Sequence, residues 1–325
     1  MSYILRRLGF YLAAFWVSIT LNFLLPRLMP GDPVSRMVAR LQGKIEPDQV
    51  EALRRSFGLD DAPLWEQYFR YLGQLFRGEM GFSISRFPAP VADVIASQIW
   101  WTVLLGLTSL IIAVVLGNLL GILAAWRRGG ALDSIVPPIL VFIGSFPYFW
   151  LAMGALWLFG VTLGWFPLRH AFSVGTTPEF SLAFIADVAY HLVLPATTIV
   201  LVSIGGWMLG MRNTMITTNS EDYIVMAEAK GLRSRRVMYR YAARNAMLPS
   251  VTAFGMSLGF IVGGALLTEV VFAYPGVGYQ LLSAVQNLDY PLMQGLFLTI
   301  TTVVLIANFV VDIVYVRLDP RVRVN

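Results

Sequence analysis

The chain has 325 residues, of which 57% are hydrophobic and 13% are charged, and its formal net charge is +5. Soluble domains carry about 25% charged residues, so this composition excludes an ordinary soluble protein, and its low charge excludes a disordered one. The absence of cysteine excludes disulfides and thiolate metal sites, and the two histidines form no zincin motif. Neither Lys44 nor Lys230 precedes serine or threonine, so the chain has no phosphate-binding P-loop and any ATP must bind to another chain.

Six apolar stretches are long enough to cross a bilayer, whose hydrocarbon core of about 30 Å needs roughly 20 helical residues. The first could instead be a signal peptide, but it is too long and lacks a small-residue cleavage site. The sequence therefore predicts an all-α membrane protein with six transmembrane helices. The stretches are residues 8–28, 98–126, 135–161, 191–211, 249–272 and 291–316.

Basic residues are concentrated in one set of connections between these stretches. The chain ends and the connections near 127, 212 and 230–244 hold many of them, whereas 162–190 and 273–290 hold only Arg169. Because short basic connections stay on the cytoplasmic side, both termini are expected in the cytoplasm. Topology and anionic membrane lipid account for the positive charge, so we expect no nucleic-acid partner.

The segment 30–97 is expected outside the membrane, on the external side, with two short helices. The first begins near Pro47 and ends at Gly58. The second has Asp61 as a candidate N-cap and Pro63 in its first turn, and it ends near Gly78. We expect a small cap packed on the membrane body. Apolar residues recur on one face of each helix, namely Val50, Leu53 and Phe57 in the first and Leu64, Tyr68, Leu72 and Leu75 in the second.

These expectations divide the chain into three regions. Residues 1–29 form the N-terminus and the first transmembrane helix, 30–97 form the external (periplasmic-side) helical segment, and 98–325 form a five-helix core. A cytoplasmic loop at 219–248, between the fourth and fifth spans, belongs to that core.

The loop 219–248 has the sequence pattern of capped helices. Asn219 or Ser220 can cap a short helix with acidic residues in its first turn. Lys230 falls in its last turn, and Gly231 suits the left-handed position that ends a helix. Ser234 can cap a second helix that runs to Pro249. Its predicted common face consists of Val237, Tyr241, Arg244 and Leu248.

Two interpretations of this loop stay open. It is either an ordinary basic loop or a helix on which another protein docks. Small residues at Ala227, Ala229 and Gly231 favour docking, because they let another backbone come close.

Two further features lie inside the spans. Glu269 stands in an apolar run, where an acid is costly unless it faces protein or water. It either lines the solute path or is a buried anchor for the turn that follows, and we favour the anchor. Pro147 breaks the third stretch, which either opens a cavity or is a plain kink.

Several motifs resemble, in combination and in order, those of the membrane permeases of binding-protein-dependent ABC importers, specifically the dipeptide, oligopeptide and nickel branch. The resemblance covers essentially the whole chain. Val225-Met226-Ala227 stands where the general importer signature has Glu-Ala-Ala. The motifs are YILRRL at 3–8, PGDP at 30–33, FGLD at 57–60, GEMGFS at 78–83, DYIVMAEAKGL at 222–232, RNAMLP at 244–249, EVVFAYPGVG at 269–278, DYP at 289–291 and YVRLDPR at 315–321.

The resemblance implies a non-catalytic subunit that forms the translocation path for oligopeptide-class solutes. Its partners would be a second homologous permease, two ABC ATPase subunits that bind ATP-Mg, an external solute-binding protein and membrane lipid. The chain itself would hold no cofactor and no metal. The location would be the plasma (inner) membrane of a bacterium or an archaeon, as a multi-pass protein.

The resemblance also implies roles for two groups of residues. A short cytoplasmic coupling helix would meet the ATPase, and residues near the breaks would line the path or form a gate. The coupling residues are Tyr223, Ala227, Glu228, Ala229, Lys230, Gly231, Leu232, Arg233, Asn245 and Pro249. The path or gate residues are Glu269, Phe272, Tyr274, Pro275, Gly276, Phe146, Pro147 and Tyr148.

Three alternatives remain beside an importer of peptides. The same machinery could import oligosaccharides or nickel, and no residue in the sequence decides between these solutes. An ion-coupled secondary carrier is less favoured, because few charges lie within the spans. A membrane enzyme would need a convergent set of titratable or nucleophilic groups, which the sequence does not indicate.

Overall fold

The computed structural model describes the backbone of residues 2–29, 62–259, 261 and 265–318. These residues are mostly helical and form no β-strand, apart from an isolated bridge between Phe82 and Pro90. The segments Leu156–Thr162 and Val237–Ala243 are π-helical. The α-helices in chain order are α1 (Ser2–Leu28), α2 (Leu64–Phe76), α3 (Val91–Trp126), α4 (Ala131–Gly144), α5 (Tyr148–Ala155), α6 (Leu182–Asn219), α7 (Asp222–Ala229), α8 (Ser234–Arg236), α9 (Arg244–Ala246), α10 (Leu248–Leu258), α11 (Leu266–Val271), α12 (Val277–Asn287) and α13 (Tyr290–Leu318).

Helices α1, α3, α6 and α13 are long and apolar enough to cross a membrane. They correspond to the first, second, fourth and sixth predicted stretches, and α3 and α6 extend beyond the predicted bounds. The fifth predicted stretch, 249–272, contains α10 and α11, while residues 260 and 262–264 within it lie outside the described part.

The third predicted stretch is broken near Pro147, as the sequence predicts. It forms α4 and, after a short break, α5 with its π-helical extension, and the two parts are bent by 94°. Pro147 stands immediately before α5. Proline removes a backbone donor and its ring clashes with the preceding turn, and the residue before it avoids the helical conformation. The sequence leaves open an opened cavity or a plain kink at this residue, and the structure has a sharp bend there.

The chain divides into two compact units, Met1–Thr102 with Pro275–Asn325 and Val103–Tyr274. In the first unit α1 packs against α13, and α12 also packs against α13. The carboxylate of Asp312 in α13 accepts a hydrogen bond from the hydroxyl of Tyr11 (2.7 Å) and forms an ion pair with Arg7 (3.3 Å). Both partners belong to α1. Near the other end, Asn22 donates to the carbonyl of Gln294 (2.7 Å). Polar contacts therefore join the two long helices close to both of their ends.

The second helix predicted in the segment 30–97 is present as α2, although Leu64 of its predicted apolar face is 59% exposed. Its apolar face packs on α1 and α13, and the chain turns at Gly78 with φ +75°. Pro63 occupies the position before the helix rather than its first turn. The predicted cap Asp61 and the whole first external helix, near 47–58, lie outside the described residues.

The segment after α2 is tied to the start of α13 by the buried carboxylate of Asp289. This carboxylate accepts hydrogen bonds from the hydroxyls of Ser83 (2.5 Å) and Ser85 (2.7 Å) and from the backbone N–H groups of Ser85 (2.9 Å) and Leu292 (3.2 Å). The side chain is fully buried, and such a charge needs several donors to be tolerated. The two sequence motifs GEMGFS and DYP thus meet in one network.

In the second unit, α6 is the central helix on which α4 packs. A Cβ atom at Gly205 would lie 3.0 Å from the carbonyl oxygen of Leu140 in α4. A Cβ atom at Gly121 in α3 would lie 2.6 Å from the carbonyl oxygen of Met208 in α6. Glycine therefore permits the backbone contacts here, as is usual where membrane helices pack closely. Arg212 of α6 and Asp133 of α4 also form an ion pair.

Candidate functional site

Helix α7 begins directly after the long helix α6. Asn219 is the last residue of α6, and the Ser220 hydroxyl donates to the carbonyl of Thr217 (2.7 Å). The prediction that Asn219 or Ser220 caps α7 is therefore wrong, because α6 continues to that point. Glu221 takes the position before α7, without a side-chain cap hydrogen bond, and Asp222 lies in the first turn. An acidic side chain there is favoured by the helix dipole.

The end of α7 confirms the predicted glycine stop. Gly231 has φ +72°, a conformation that glycine adopts without steric cost. Its N–H donates to the carbonyl of Glu228 (2.8 Å), and the N–H of Leu232 donates to that of Ala227 (3.3 Å). These two bonds form a Schellman motif, which satisfies carbonyls that the helix end would otherwise leave open. Lys230 occupies the C-cap position.

The inner face of α7 is packed within the chain. Ile224 and Ala227 are 2% and 4% exposed and belong to one apolar cluster. The small side chain of Ala227 therefore lets α7 approach its own protein, which differs from the partner contact expected from the sequence. Leu232 packs at the edge of the same cluster. The other buried members of the cluster are Ile122, Ala125, Met211, Met215, Val237, Met238, Ala242, Ala243 and Ala246.

The outer face of α7 is apolar and exposed. Val225 and Met226 are 57% and 59% exposed, and Tyr223 is 39% exposed. In the sequence, Val225 and Met226 stand out only as a departure from the importer signature. The signal that identifies them is the helical period, since Ile224 and Ala227 face inward three residues apart and leave positions 225 and 226 outside.

The rest of the predicted coupling residues lie around this outer face. They are polar or small, and all are exposed. The predicted residues are Glu228, Ala229, Lys230, Gly231 and Arg233, and the further exposed basic residues are Arg235, Arg236, Arg240 and Arg244.

The stretch that supports α7 differs from the predicted second helix. Ser234 is its first residue rather than its cap, and its hydroxyl accepts a hydrogen bond from Trp126 Nε1 (3.0 Å). The predicted common face is also wrong, because Leu248 is 68% exposed and Arg244 is exposed. The π-helical turns of Val237–Ala243 are wider than α-helical turns, so they shift which residues face inward.

One hydrogen bond joins α7 to this supporting stretch on the exposed side. Asn245 Nδ2 in α9 donates to the hydroxyl of Tyr223 (2.8 Å). Pro249 lies exposed at the start of α10. The structure thus places Tyr223 and Asn245, both predicted coupling residues, in direct contact.

The predicted path residues after the fifth stretch form a buried turn. Glu269 and Tyr274 are fully buried, and Phe272 is 2% exposed. The carbonyl of Glu269 accepts the N–H of Tyr274 (2.8 Å), and the carbonyl of Phe272 accepts the N–H of His170 (3.2 Å). Ala273 between them has φ +43°. This geometry favours an anchored turn over a side chain that lines an open path.

The remaining predicted path residues have mixed surroundings. Gly276 is buried and Pro275 half-buried. At the corner of the third stretch, Phe146 and Pro147 are exposed, and Tyr148 is half-buried at the start of α5. Helix α5 packs against α11, which carries Glu269. The structure therefore brings the helix after the corner against the helix of the buried acid.

Among the described residues, no group of three metal-ligating side chains lies together. The chemistry that these residues offer is therefore docking and packing: an exposed apolar face on α7, and a buried acid in a tight turn.

Comparison with known proteins assigns the chain to a family. The family described as binding-protein-dependent transport system inner membrane component matches residues 117–324, and the N-terminal family of such membrane components matches residues 1–104. The chain is 35% identical to the di/tripeptide transport system permease protein DppB of Pseudomonas aeruginosa, over 99% of both chains. It is 32% identical to the dipeptide transport system permease protein DppB of Escherichia coli K12, again over 99% of both.

A third relative matches to a similar extent. The chain is 32% identical to the oligopeptide transport system permease protein AppB of Bacillus subtilis, over 99% of both chains. Matches of this length and identity cover α7, the buried turn and the long apolar helices together. The chain therefore belongs to the inner membrane components of binding-protein-dependent transport systems, and it is a permease subunit of an ABC importer.

Proposed function

We propose that this chain forms half of the translocation path of an importer for short peptides. Support comes from the relatives, which are named as permeases for dipeptides, di/tripeptides and oligopeptides and are similar over 99% of the chain. The chain carries no nucleotide-binding motif, and ATP-Mg binds to two partner ATPase subunits. A second, homologous permease completes the path, and an external binding protein delivers the solute.

Helix α7 is the coupling helix that meets an ATPase subunit. The observation that carries this proposal is the exposed apolar pair Val225 and Met226 on a helix whose opposite face is packed. An isolated helix of eight residues is not stable in water, so α7 keeps its shape only through the cluster beneath it. A partner that fills the outer face would bury the exposed pair.

The packing of α7 would transmit a displacement of this helix to the helices beneath it. Its inner face contacts Met211 and Met215 of α6 and the π-helical stretch that leads to α10. Because such a close-packed cluster deforms little, a displacement of α7 moves these helices with it. Nucleotide-driven closure of the ATPases would thus reach the spans through α6 and α10.

Charge substitution on the outer face tests this role. The double variant Val225→Asp, Met226→Asp should lose ATPase subunits on purification and lose ATP-driven peptide uptake, because it places two charges in an apolar contact. Val174→Asp is the matched control, since Val174 is 84% exposed in the connection between α5 and α6. Wild-type ATPase content and uptake in the double variant would refute the coupling assignment.

The proposed topology has six spans, with both termini and α7 in the cytoplasm and the segment 30–97 outside. The concentration of basic residues near α7 supports this orientation. The absence of cysteine makes a direct test possible. In sealed cells, an impermeant maleimide should label Val174→Cys and leave Ser234→Cys unlabelled. The reverse pattern would invert the topology.

Glu269 acts in this proposal as the anchor of the turn Phe272–Gly276, and the corner at Phe146–Tyr148 contributes to the gate of the path. Support comes from the full burial of Glu269 and from the packing of α5 on α11. Glu269→Gln distinguishes the two roles, because loss of an anchor lowers thermal stability whereas loss of a path residue changes the apparent affinity for the solute.

A further inference from the structure

Helix α2 has more apolar surface than its contacts with the protein cover. Its packed residues Tyr68, Leu72 and Leu75 contact α1 and α13. Beside them, Trp65 and Phe69 are each 66% exposed and Phe76 is 82% exposed. At 3.6 residues per turn, these three aromatic residues fall within an arc of about 40°, directly next to the packed face. We call Trp65, Phe69 and Phe76 the aromatic stripe.

The opposite side of α2 is polar. Glu66 and Arg70 form an exposed ion pair one helical turn apart (3.1 Å). Gln74 is exposed on the same side, and Gln67 bonds to the carbonyl of Ala62 (2.8 Å). A short helix with a broad apolar arc and a charged polar arc is the pattern of a helix that lies in a membrane interface.

The contacts between α2 and α1 show how far along α1 the helix α2 lies. The hydroxyls of Tyr68 and Thr20 are 2.8 Å apart, and Asn22 Nδ2 lies 3.3 Å from the Tyr71 hydroxyl. At 1.5 Å per residue, Thr20 and Asn22 lie about 9–12 Å before Leu28, the end of α1. Helix α2 therefore lies beside the span rather than beyond its end.

Contacts along α13 give the same depth independently. The buried Leu298 and the half-buried Met80 belong to the cluster under α2, and Asn22 bonds to the Gln294 carbonyl next to it. Residues 294–298 lie about 6–12 Å after Tyr290, where α13 begins. Helices α1 and α13 have 27 and 29 residues and both exceed the length that a hydrocarbon core of about 30 Å requires. We take each span to extend equally beyond the hydrocarbon core at its two ends, which places the contacts of α2 near the hydrocarbon boundary.

The surface next to the aromatic stripe is itself a membrane surface. Trp16 of α1 is 51% exposed and forms an edge-to-face contact with Tyr68 (6.4 Å). Leu12 and Leu24 of the same span are also exposed. Aromatic residues are favoured at membrane interfaces, where their rings lie between the acyl chains and the headgroups. The stripe thus continues the lipid-facing side of α1.

We propose that α2 is an interfacial helix whose aromatic stripe is immersed in the lipid leaflet at the C-terminal end of α1. In the topology proposed above this is the outer leaflet. The inference does not depend on what the importer carries or on the coupling role of α7. It makes α2 part of the membrane-embedded body and not part of a cap in the aqueous phase.

Fluorophore quenching in bilayers tests the proposal. Phe69→Cys, Phe76→Cys and, as the matched control on the polar side, Gln74→Cys are each introduced into the cysteine-free chain and labelled with bimane. The assembled transporter is reconstituted in vesicles of phosphatidylcholine brominated near the glycerol end of its acyl chains. We expect bromine to quench bimane at 69 and 76 roughly twofold or more over bimane at 74, and aqueous iodide to show the reverse order.

Two outcomes would overturn the proposal. Iodide quenching at 69 and 76 equal to that at 74 would place the stripe in water. Protection of both positions from bromine and iodide alike would show that protein covers the stripe, either the second permease or the binding protein. All three substituted side chains are exposed, so the packed face stays intact, and Trp65→Cys provides a further position if one variant assembles poorly.

Discussion

Helices α7 and α2 each have an exposed apolar face beside a packed face, but the two exposed faces consist of different residues. Both are short, with 8 and 13 residues, and both pack one face on long apolar helices while a second apolar face stays exposed. The exposed face of α7 is aliphatic, at Val225 and Met226. The exposed face of α2 is aromatic, and its polar side carries a balanced ion pair. We therefore propose different occupants for the two faces, a protein partner for α7 and lipid for α2.

The largest expected effect tests whether the aromatic stripe of α2 lies in lipid. Phe69→Ser with Phe76→Ser should lower the free energy of unfolding by about 1–2 kcal/mol for each residue if the stripe lies in lipid. If the stripe lies in water, the change should stay within about 0.5 kcal/mol, as for other surface substitutions. Thermal denaturation of the transporter in nanodiscs measures this, with Gln74→Ser as the control.

The next effect concerns the end of α7. Gly231→Val should weaken ATPase binding about tenfold, because a β-branched residue with φ near +72° costs about 1–2 kcal/mol and distorts the helix end. Space is not the cause, since no atom lies within 4 Å of a Cβ atom built at Gly231. Gly231→Asn should retain most of the binding, because asparagine tolerates the left-handed conformation. Equal binding by the valine and asparagine variants would contradict this account.

A smaller effect measures the contact between α7 and its support. The hydrogen bond between Tyr223 and Asn245 should contribute about 0.5–1.5 kcal/mol. A double-mutant cycle with Tyr223→Phe and Asn245→Ala, followed by thermal unfolding, should give a coupling energy in this range. Additive effects of the two substitutions would show that the bond contributes nothing to the placement of α7.

The smallest expected change is in the solute affinity of Glu269→Gln. If Glu269 anchors the turn, this variant should keep the wild-type apparent affinity for peptide in uptake assays and lose thermal stability, because glutamine alters the hydrogen bonding of a fully buried site. A changed affinity with unchanged stability would assign the acid to the path instead.

The sequence predicted features that depend on local chemistry. Both Gly231 and Gly78 end helices where expected, since a left-handed residue after an apolar helix is a local signal. The four long apolar helices were found for the same reason, because length and hydropathy are read directly from consecutive residues.

Features that depend on contacts between distant residues were missed. The motifs around Ser83 and Asp289 were both noted, but nothing local indicates that their side chains meet. The π-helical turns at 237–243 change which residues face inward in the stretch that supports α7. The pattern of apolar residues alone did not reveal these turns. The burial of Ala227 is likewise a correction, because its neighbours in the cluster come from distant parts of the chain.

The hydrogen bond between Ser83 and Asp289 joins residues that are synthesised at different times. The two residues are 206 positions apart, and ribosomes add about 5–20 residues per second. The hydroxyls near Ser83 are therefore made roughly 10–40 s before the carboxylate that they bind. During that interval the stretch that follows α2 can form short-range bonds, such as that from the Arg86 N–H to the Ser83 hydroxyl (3.2 Å), but not its bonds to Asp289. Synthesis of the last helix then closes the network, so a ribosome stalled before Asp289 leaves the protein's first unit without its central acceptor.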